Sequence, residues 1–260
     1  MRLKILTWNI SYAYGLGSEG DARYHQKSLR HFDSTLNAMG DTIRHLDPDM
    51  VLLQEVDFHS KRSHFQDQLD HLARRSGLLY RARIISWDRW YVPFPGLSPL
   101  HHFGTVLSGG GILSKTPIQP ITQDLLAKPR ENSKVYNFFY LSRFLQLAEI
   151  RGLRICNLHL EAFSQDNREL HLIRLQDRLR DYDLDLAGGD FNGGIALKPE
   201  HSLHWQSHEP TSPTFPSESP ERVLDQFIVK RNRFEKIGIQ VPDTGTLSDH
   251  LPVLLELDIP

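Results

Sequence analysis

The stretch LAGGDFNGG, residues 186–194, sets an acid and an amide two positions apart, directly after an apolar run and among four glycines. Gly, Asp and Asn are the ordinary material of tight turns, so a turn is one reading. The other is a strand end where backbone lies close to a ligand, with Asp190 and Asn192 presented from the same side. On that second reading Gly188 and Gly189 leave room for the ligand, and Phe191 points back into the core. The rest of the chain decides between them, through what falls at the ends of its other strands.

Residues 3–9 are rich in strand formers. From 24 to 46, Leu29, Phe32, Leu36, Met39, Ile43 and Leu46 recur at intervals of three and four, which predicts an amphipathic helix stopped by Pro48. MVLLQE at 50–55 reads as a buried strand, and a second helix over 61–76 turns Phe65, Leu69 and Leu72 inward and ends at Gly77. Further strand-like runs cover 79–86, 109–114, 144–150, 153–160, 184–188, 223–229 and 251–257. A third helix over 166–181 places Leu170, Ile173 and Leu179 on one face. Strands alternating with helices, without repeats or a long polar linker, predict one α/β domain over 1–260. Two stretches read as loops, 87–107 and 198–222. The first carries aromatic residues that either anchor it on the core or touch a substrate, Trp90 and Tyr91 among them.

Bulk properties narrow the function. With 260 residues, 39% of them apolar, the chain buries a full-sized core. A formal net charge of -2 argues against bulk attraction to nucleic acid. Lys61, Arg62, Arg74, Arg75, Arg81 and Arg83 nevertheless form a local basic set. The one cysteine, Cys156, excludes an internal disulfide and a thiolate zinc cluster. There is no signal-type segment and no long apolar span, so a cytoplasmic protein is the expectation. Nothing in the sequence suggests an obligate protein partner, and a monomer is expected.

Polar residues recur where the apolar runs end. Asn9 closes the first strand, Glu55 the second, and His159 the run RICNLH. Asp190 and Asn192 follow LDLAGG, Asp225 opens LDQFIV, and Asp249 and His250 precede LPVLLEL. Each alone has a plain explanation as a cap, a turn or a surface histidine. Together they fit the rim of an α/β sheet, where sites of such folds gather. Carboxylates with an amide oxygen and no thiolate suit a hard cation, Mg²⁺ or Mn²⁺. Histidines beside such an ion can move protons or hold phosphate oxygens, with Asp225 fixing a tautomer. An ion, an oriented water and a cationic imidazole are the parts needed to hydrolyse a phosphoester.

The motifs TWNI, LLQEV, SGGGILSK, NLHLEAF, GGDFN and LSDHLPV, in this order over nearly the whole chain, resemble the endonuclease/exonuclease/phosphatase superfamily. The resemblance implies a four-layer α/β sandwich, with two mixed β-sheets packed face to face and helices outside. It implies that Asn9, Glu55 and Asp249 form the metal site and that His250 is the catalytic histidine, supported by Asp225. Gln226 stands where the family usually has an aromatic residue. Asp190 matches the residue that orients or deprotonates the attacking water, and Asn192 the one that holds a phosphate oxygen. His159 matches a second histidine of the deoxyribonuclease and phosphatase branches, which abasic-site endonucleases replace by tyrosine; an abasic-site specialist is therefore disfavoured. Arg143 sits where many members place a basic residue. Glu161, in HLEAF, either takes a second ion or hydrogen-bonds its own loop. The function implied is a divalent-metal-dependent phosphoesterase acting by in-line attack of water on a nucleic acid or on a small or lipid phosphoester. The alternative is a degenerate member that keeps the fold and serves as a binding module.

Overall fold

The computed structural model describes residues 2–15, 27–95 and 98–259. Two six-stranded mixed sheets carry the fold. The first runs, edge to edge, β11 (Lys236–Gln240), β12 (Val253–Asp258), β1 (Arg2–Asn9), β2 (Met50–Asp57), β4 (Gly104–Ser114) and β3 (Tyr80–Val92). The second runs β5 (Gln119–Leu125), β6 (Phe144–Ile150), β7 (Leu153–His159), β8 (Leu186–Asp190), β10 (Asp225–Lys230) and β9 (Trp205–His208). Each sheet holds one parallel pair at its centre, β1 with β2 and β7 with β8. A parallel pair needs a crossover. Helices α1 (Leu29–Leu46) and α4 (Gln165–Asp181) lie in these two connections.

Burial sorts the layers. Leu3, Ile5, Leu52 and Ile112 of the first sheet meet Ile155, Leu186, Phe227 and Val229 of the second in one core. Phe32, Leu36, Met39 and Ile43 of α1, with Leu69 and Leu72 of α2 (Gln68–Ser76), cover the outer face of the first sheet. Leu175 and Leu179 of α4 cover the outer face of the second. The order is helices, sheet, sheet, helix, as the motifs imply. Among the described residues no helix is long and apolar enough to cross a membrane.

Several local expectations are corrected. The helix expected over 61–76 is a 3-10 turn at Lys61–Ser63 and a separate α2, because His64 and Phe65 take positive φ. Phe65 is consequently half exposed instead of inward. On α4, Leu170 and Ile173 face solvent, and the buried face is Asn167, His171, Leu175, Gln176 and Leu179. The stretch 87–107 is mostly strand, since β3 continues to Val92 and β4 begins at Gly104. Residues 24–26 of the first predicted helix lie outside the described residues. Two short elements, α5 (Pro199–Ser202) and β9, interrupt the loop expected over 198–222. Helix α3 (Lys134–Phe139) and the edge strands β5 and β11 are additional.

Gly188 has a packing reason. A Cβ there would lie 2.4 Å from the Phe227 ring and 3.1 Å from a Leu52 methyl. Gly189 abuts the Leu158 carbonyl, 2.0 Å from where its Cβ would be. These glycines bring strand and sheet together, and clearance for a ligand is not what the space is used for. Gly188→Val is expected to destabilise the protein by about 1–3 kcal/mol, as overpacking of a closed core does. Gly194→Ala, where an added Cβ meets nothing within 4 Å, is the control in urea unfolding. Equal midpoints for the two would refute the packing argument.

Candidate active site

Strand register assembles the site. His159, Asp190 and Asp225 sit in one row across β7, β8 and β10, His159 paired with Asp190 and Asp190 with Asp225. Phe144, next to Arg143, pairs with His159 and extends the row. From the first sheet, Asn9 ends β1 and Glu55 projects from an irregularity in β2, where its φ of 54° breaks the strand's alternation. Asp249 and His250 enter just ahead of β12. Both sheets thus deliver their polar ends to the same edge of the sandwich.

Hydrogen bonds fix the arrangement. Asp225 Oδ2 lies 2.8 Å from His250 Nδ1 and also accepts the Thr214 hydroxyl at 2.7 Å. Asp190 Oδ2 accepts from Asn9 Nδ2 at 3.0 Å, and Asp190 Oδ1 accepts the Asn192 N–H at 2.9 Å. The Asn192 side chain donates to the Leu160 carbonyl at 3.0 Å. Asp190 Oδ2 is 3.3 Å from His159 Nε2 and 3.9 Å from His250 Nε2. The Arg143 guanidinium donates to the His159 ring, 3.2 Å from Nδ1. Apart from Glu55 and Asn192, which are partly exposed, all these side chains are buried.

Burial and neighbouring charge set the protonation states. Burial works against a charged His250, but Asp225 and then Asp190 reverse this and raise its pKa to about 10. His159 is driven well below the ordinary histidine range by burial, then by Arg143 and His250. A neutral His159 is what accepting from Arg143 requires. Burial raises Asp190 to about 6, against the pull of His250. In metal-free protein, the His250 imidazolium is therefore expected to persist through pH 8, and Asp225→Asn to bring its titration toward about 6.5. NMR of the ring nitrogens reads this directly, and an ordinary titration in the unsubstituted protein would refute it.

The residues fit a hard cation. Burial, and after it Asp249, pushes Glu55 up to about 7. Among the described residues no hydrogen bond reaches the Glu55 carboxylate, and repulsion from Asp249 adds to burial in raising its pKa, ahead of the opposing pull of Arg143 and His250. A divalent ion relieves that repulsion. Asn9 Oδ1 accepts the Ser11 N–H at 3.0 Å and keeps a second lone pair. Asp190, Asp225 and His250 also place ligand atoms within 4.8 Å of one another. A protonated His250 hydrogen-bonded to Asp225 has no lone pair to offer an ion, whereas Glu55, Asp249 and Asn9 could hold one through oxygen.

The sequence profile of the Endonuclease/Exonuclease/phosphatase family matches residues 6–250. The chain belongs to that family. An endonuclease/exonuclease/phosphatase from Beutenbergia cavernae superposes with a TM-score of 0.67 at 19% identity, over 99% of this chain and 72% of the other. Truncated Caenorhabditis elegans TDP2 gives a TM-score of 0.60 at 16% identity, over 99% of this chain and 97% of that one. The human nocturnin catalytic domain, with a bound sulfate anion, gives 0.59 at 17% identity, over 100% and 94%. No curated protein matches the sequence. The family is known for metal-dependent phosphoesterase and nuclease activity.

In this family member a cavity of about 860 Å³ opens above the polar row. Asn9, Glu55, Arg143, His159, Asp190, Asn192, Asp249 and His250 line its floor. Its walls are largely aromatic: Tyr12, Trp87, Phe103, Tyr136, Phe139 and Phe215 are among them. Trp90 and Tyr91 do not line it. They belong to β3, where Trp90 projects into solvent and the Tyr91 hydroxyl pairs with His102 Nδ1 at 2.6 Å. Glu161 is fully buried and lies outside the lining. Its Oε1 accepts the Tyr140 hydroxyl at 2.7 Å and the N–H groups of Ala162 and Phe163 at 3.1 Å, the loop-holding alternative. Sequence reasoning missed Thr214, which backs Asp225, and Tyr12 and Arg222 in the wall. Thr214 lies in a stretch of prolines and serines with no periodicity to expose it.

Proposed function

We propose that the protein is a Mg²⁺- or Mn²⁺-dependent phosphoesterase whose substrate carries an apolar or aromatic group beside its phosphate. The observation that carries this is a charged floor beneath aromatic walls in a single cavity. Glu55, Asp249 and Asn9 hold the ion, which when bound supplies positive charge against phosphate oxygens. Asp190, ionised at neutral pH and steadied by Asn9 and Asn192, orients a water and takes its proton. His250, kept cationic by Asp225, faces the charge that accumulates on the phosphorus oxygens during in-line attack. Arg143 adds a second cation beside the neutral His159.

The charge pattern favours such a substrate over duplex DNA. Of the basic set, Arg62, Arg74, Arg75, Arg81 and Arg83 are each paired with an aspartate. Duplex binding rests on cations free to contact phosphates. The filled site also weighs against a degenerate binding module, because a cluster of acids crowded into a largely buried site is costly to keep without a role.

Hydrolysis of bis(p-nitrophenyl) phosphate, measured with Mg²⁺, Mn²⁺ and EDTA beside a plasmid-nicking assay, tests this. EDTA is expected to abolish turnover and added Mg²⁺ or Mn²⁺ to restore it. Full activity in excess chelator would overturn the metal requirement. Efficient nicking of plasmid with no turnover of small aryl or lipid phosphodiesters would overturn the substrate assignment.

A further inference from the structure

Helix α3 has the sequence KVYNFF, and none of its residues is buried. A six-residue helix does not persist alone. Polar contacts hold this one from beneath. The Ser133 hydroxyl accepts the Tyr136 N–H, and Lys128 Nζ donates to the Asn137 and Tyr140 carbonyls. Trp87 Nε1 donates to the Phe139 carbonyl at 2.8 Å, and Arg89 Nε to that of Phe138 at 2.5 Å. The backbone is thus fixed while Val135 (71% exposed), Tyr136 and Phe138 stand in water. Val135 and Tyr136 also line the cavity.

Two other segments repeat this. Phe163, 84% exposed, lines the cavity from the loop that Glu161 holds, and half-exposed Phe94 lines it from the segment after β3. The apolar wall therefore runs outward to the surface on three separate segments. Exposed apolar patches of this kind on a monomer mark an interaction site.

Charge selects the occupant. Residues 87–103 and 127–140 contribute the four cations Arg89, Lys128, Arg130 and Lys134 against Asp88 and Glu131, while in the Phe163 segment, 160–168, Arg168 offsets Asp166 and Glu161 is buried. Among the described residues none of the four cations is ion-paired, unlike the arginines of α2 and β3. The Arg89 guanidinium lies 4.8 Å over the Phe138 ring, and burial followed by Arg89 lowers Lys128 to about 8. Exposed apolar side chains beside the exposed cations Arg130 and Lys134, with Arg89 and Lys128 adding positive charge at the base of α3, match an anionic bilayer surface, apolar into the acyl boundary and basic against the headgroups.

We propose that the mouth of the cavity, built by α3, Phe94 and Phe163, docks on anionic phospholipid membrane, so that the site meets its substrate at the lipid surface. The docking stands on these surface residues alone; its link to turnover rests on the phosphoesterase reading above.

Co-sedimentation of the full chain with vesicles tests it, using phosphatidylcholine alone or with about 30% phosphatidylserine. The protein is expected to pellet with the anionic vesicles, and less so as salt rises. Lys134→Glu with Phe138→Glu, neither of which lines the cavity, is expected to weaken that binding about tenfold or more. Turnover of soluble bis(p-nitrophenyl) phosphate is expected to stay within about twofold, since the floor is untouched. A protein that stays in the supernatant with both vesicle types overturns the proposal. So does a double variant, folded by circular dichroism, that pellets like the unsubstituted chain. Binding of single-stranded oligonucleotide in preference to vesicles, lost in the same variant, overturns it in favour of stacking on bases. Vesicle binding without any soluble turnover leaves the docking standing and removes the phosphoesterase reading instead.

Discussion

Replacing Asp190 with Asn is expected to lower kcat on bis(p-nitrophenyl) phosphate by about a thousandfold or more, within the range for loss of a general base. The substitution keeps the shape of a side chain that is 1% exposed and bonded to Asn9 and Asn192. What it removes is the charge and the proton-accepting oxygen. A structural role alone predicts a large loss of stability. Burial raises Asp190 above the ordinary value of a free carboxyl, to about 6. A carboxylate whose folded pKa is raised destabilises the fold above that pKa, and the penalty vanishes below the unfolded value near 3.9. At pH 7 in metal-free protein, Asp190→Asn removes this penalty, although it also removes part of the support for the His250 charge and sets an NH2 against one of the two donors, Asn9 Nδ2 or the Asn192 N–H. These opposing effects are of similar size, so the variant is expected to melt within a few degrees of the unsubstituted protein. Loss of activity accompanied by a large drop in Tm would mean that Asp190 serves folding. Retained activity would remove it from the mechanism. Activity built on a strained, charge-crowded site at the expense of stability is the pattern expected of such a residue.

Much of this arrangement is legible from residue types at strand ends. Asn9, Glu55, His159 and Asp190 each stand where an apolar run stops, Asp225 and His250 where one starts, and the sheets bring those ends to one edge. The central strands announce themselves because they are buried on both faces and read as apolar runs. Edge strands β5 and β11 do not, since QPITQDL and KIGIQ mix exposed and half-buried positions without a period. Helix α3 escaped for a related reason: no buried face means no helical repeat of inward residues. The amphipathic pattern of α4 misled, because its buried face includes His171, Gln176 and Asn167, while Leu170 and Ile173 face water. Contacts between distant segments left the least trace. The Gln54 side chain donates to Asn157 at 2.8 Å, and Asn157 donates to Gln146 at 3.1 Å, tying the sheets together directly behind Glu55 and His159. In the sequence these amides are polar interruptions of strands, with nothing to say that they face each other.

Asp57→Ala is expected to destabilise the protein by about 3–5 kcal/mol, the cost of breaking a buried ion pair from one side. Arg62 appears in the sequence as part of a basic surface, but its side chain is 2% exposed, against 0% for Asp57. Asp57 receives Arg62 Nε at 3.0 Å and Nη2 at 2.9 Å, with the Ser60 hydroxyl at 2.8 Å. The guanidinium is stacked 3.6 Å from the Tyr12 ring centre, 4.6 Å from Phe103 and 5.0 Å from Trp87. Without Asp57 it keeps those rings but has no counter-charge, and it cannot shed its proton to escape. Urea unfolding should show the loss as a lower midpoint at unchanged slope. Asp57→Leu with Arg62→Met tests the cause, since removing both charges in favour of apolar volume is expected to recover most of the stability. A single substitution costing less than about 1 kcal/mol would show that water or another acid serves Arg62. The pair also reaches the site, because Tyr12, Arg62, Trp87 and Phe103 all line the cavity. In Asp57→Ala below its unfolding midpoint, KM for an aryl phosphodiester is therefore expected to rise with kcat nearly unchanged. The wall that binds the apolar group shifts while Asp190 and His250, held by other partners, keep their places.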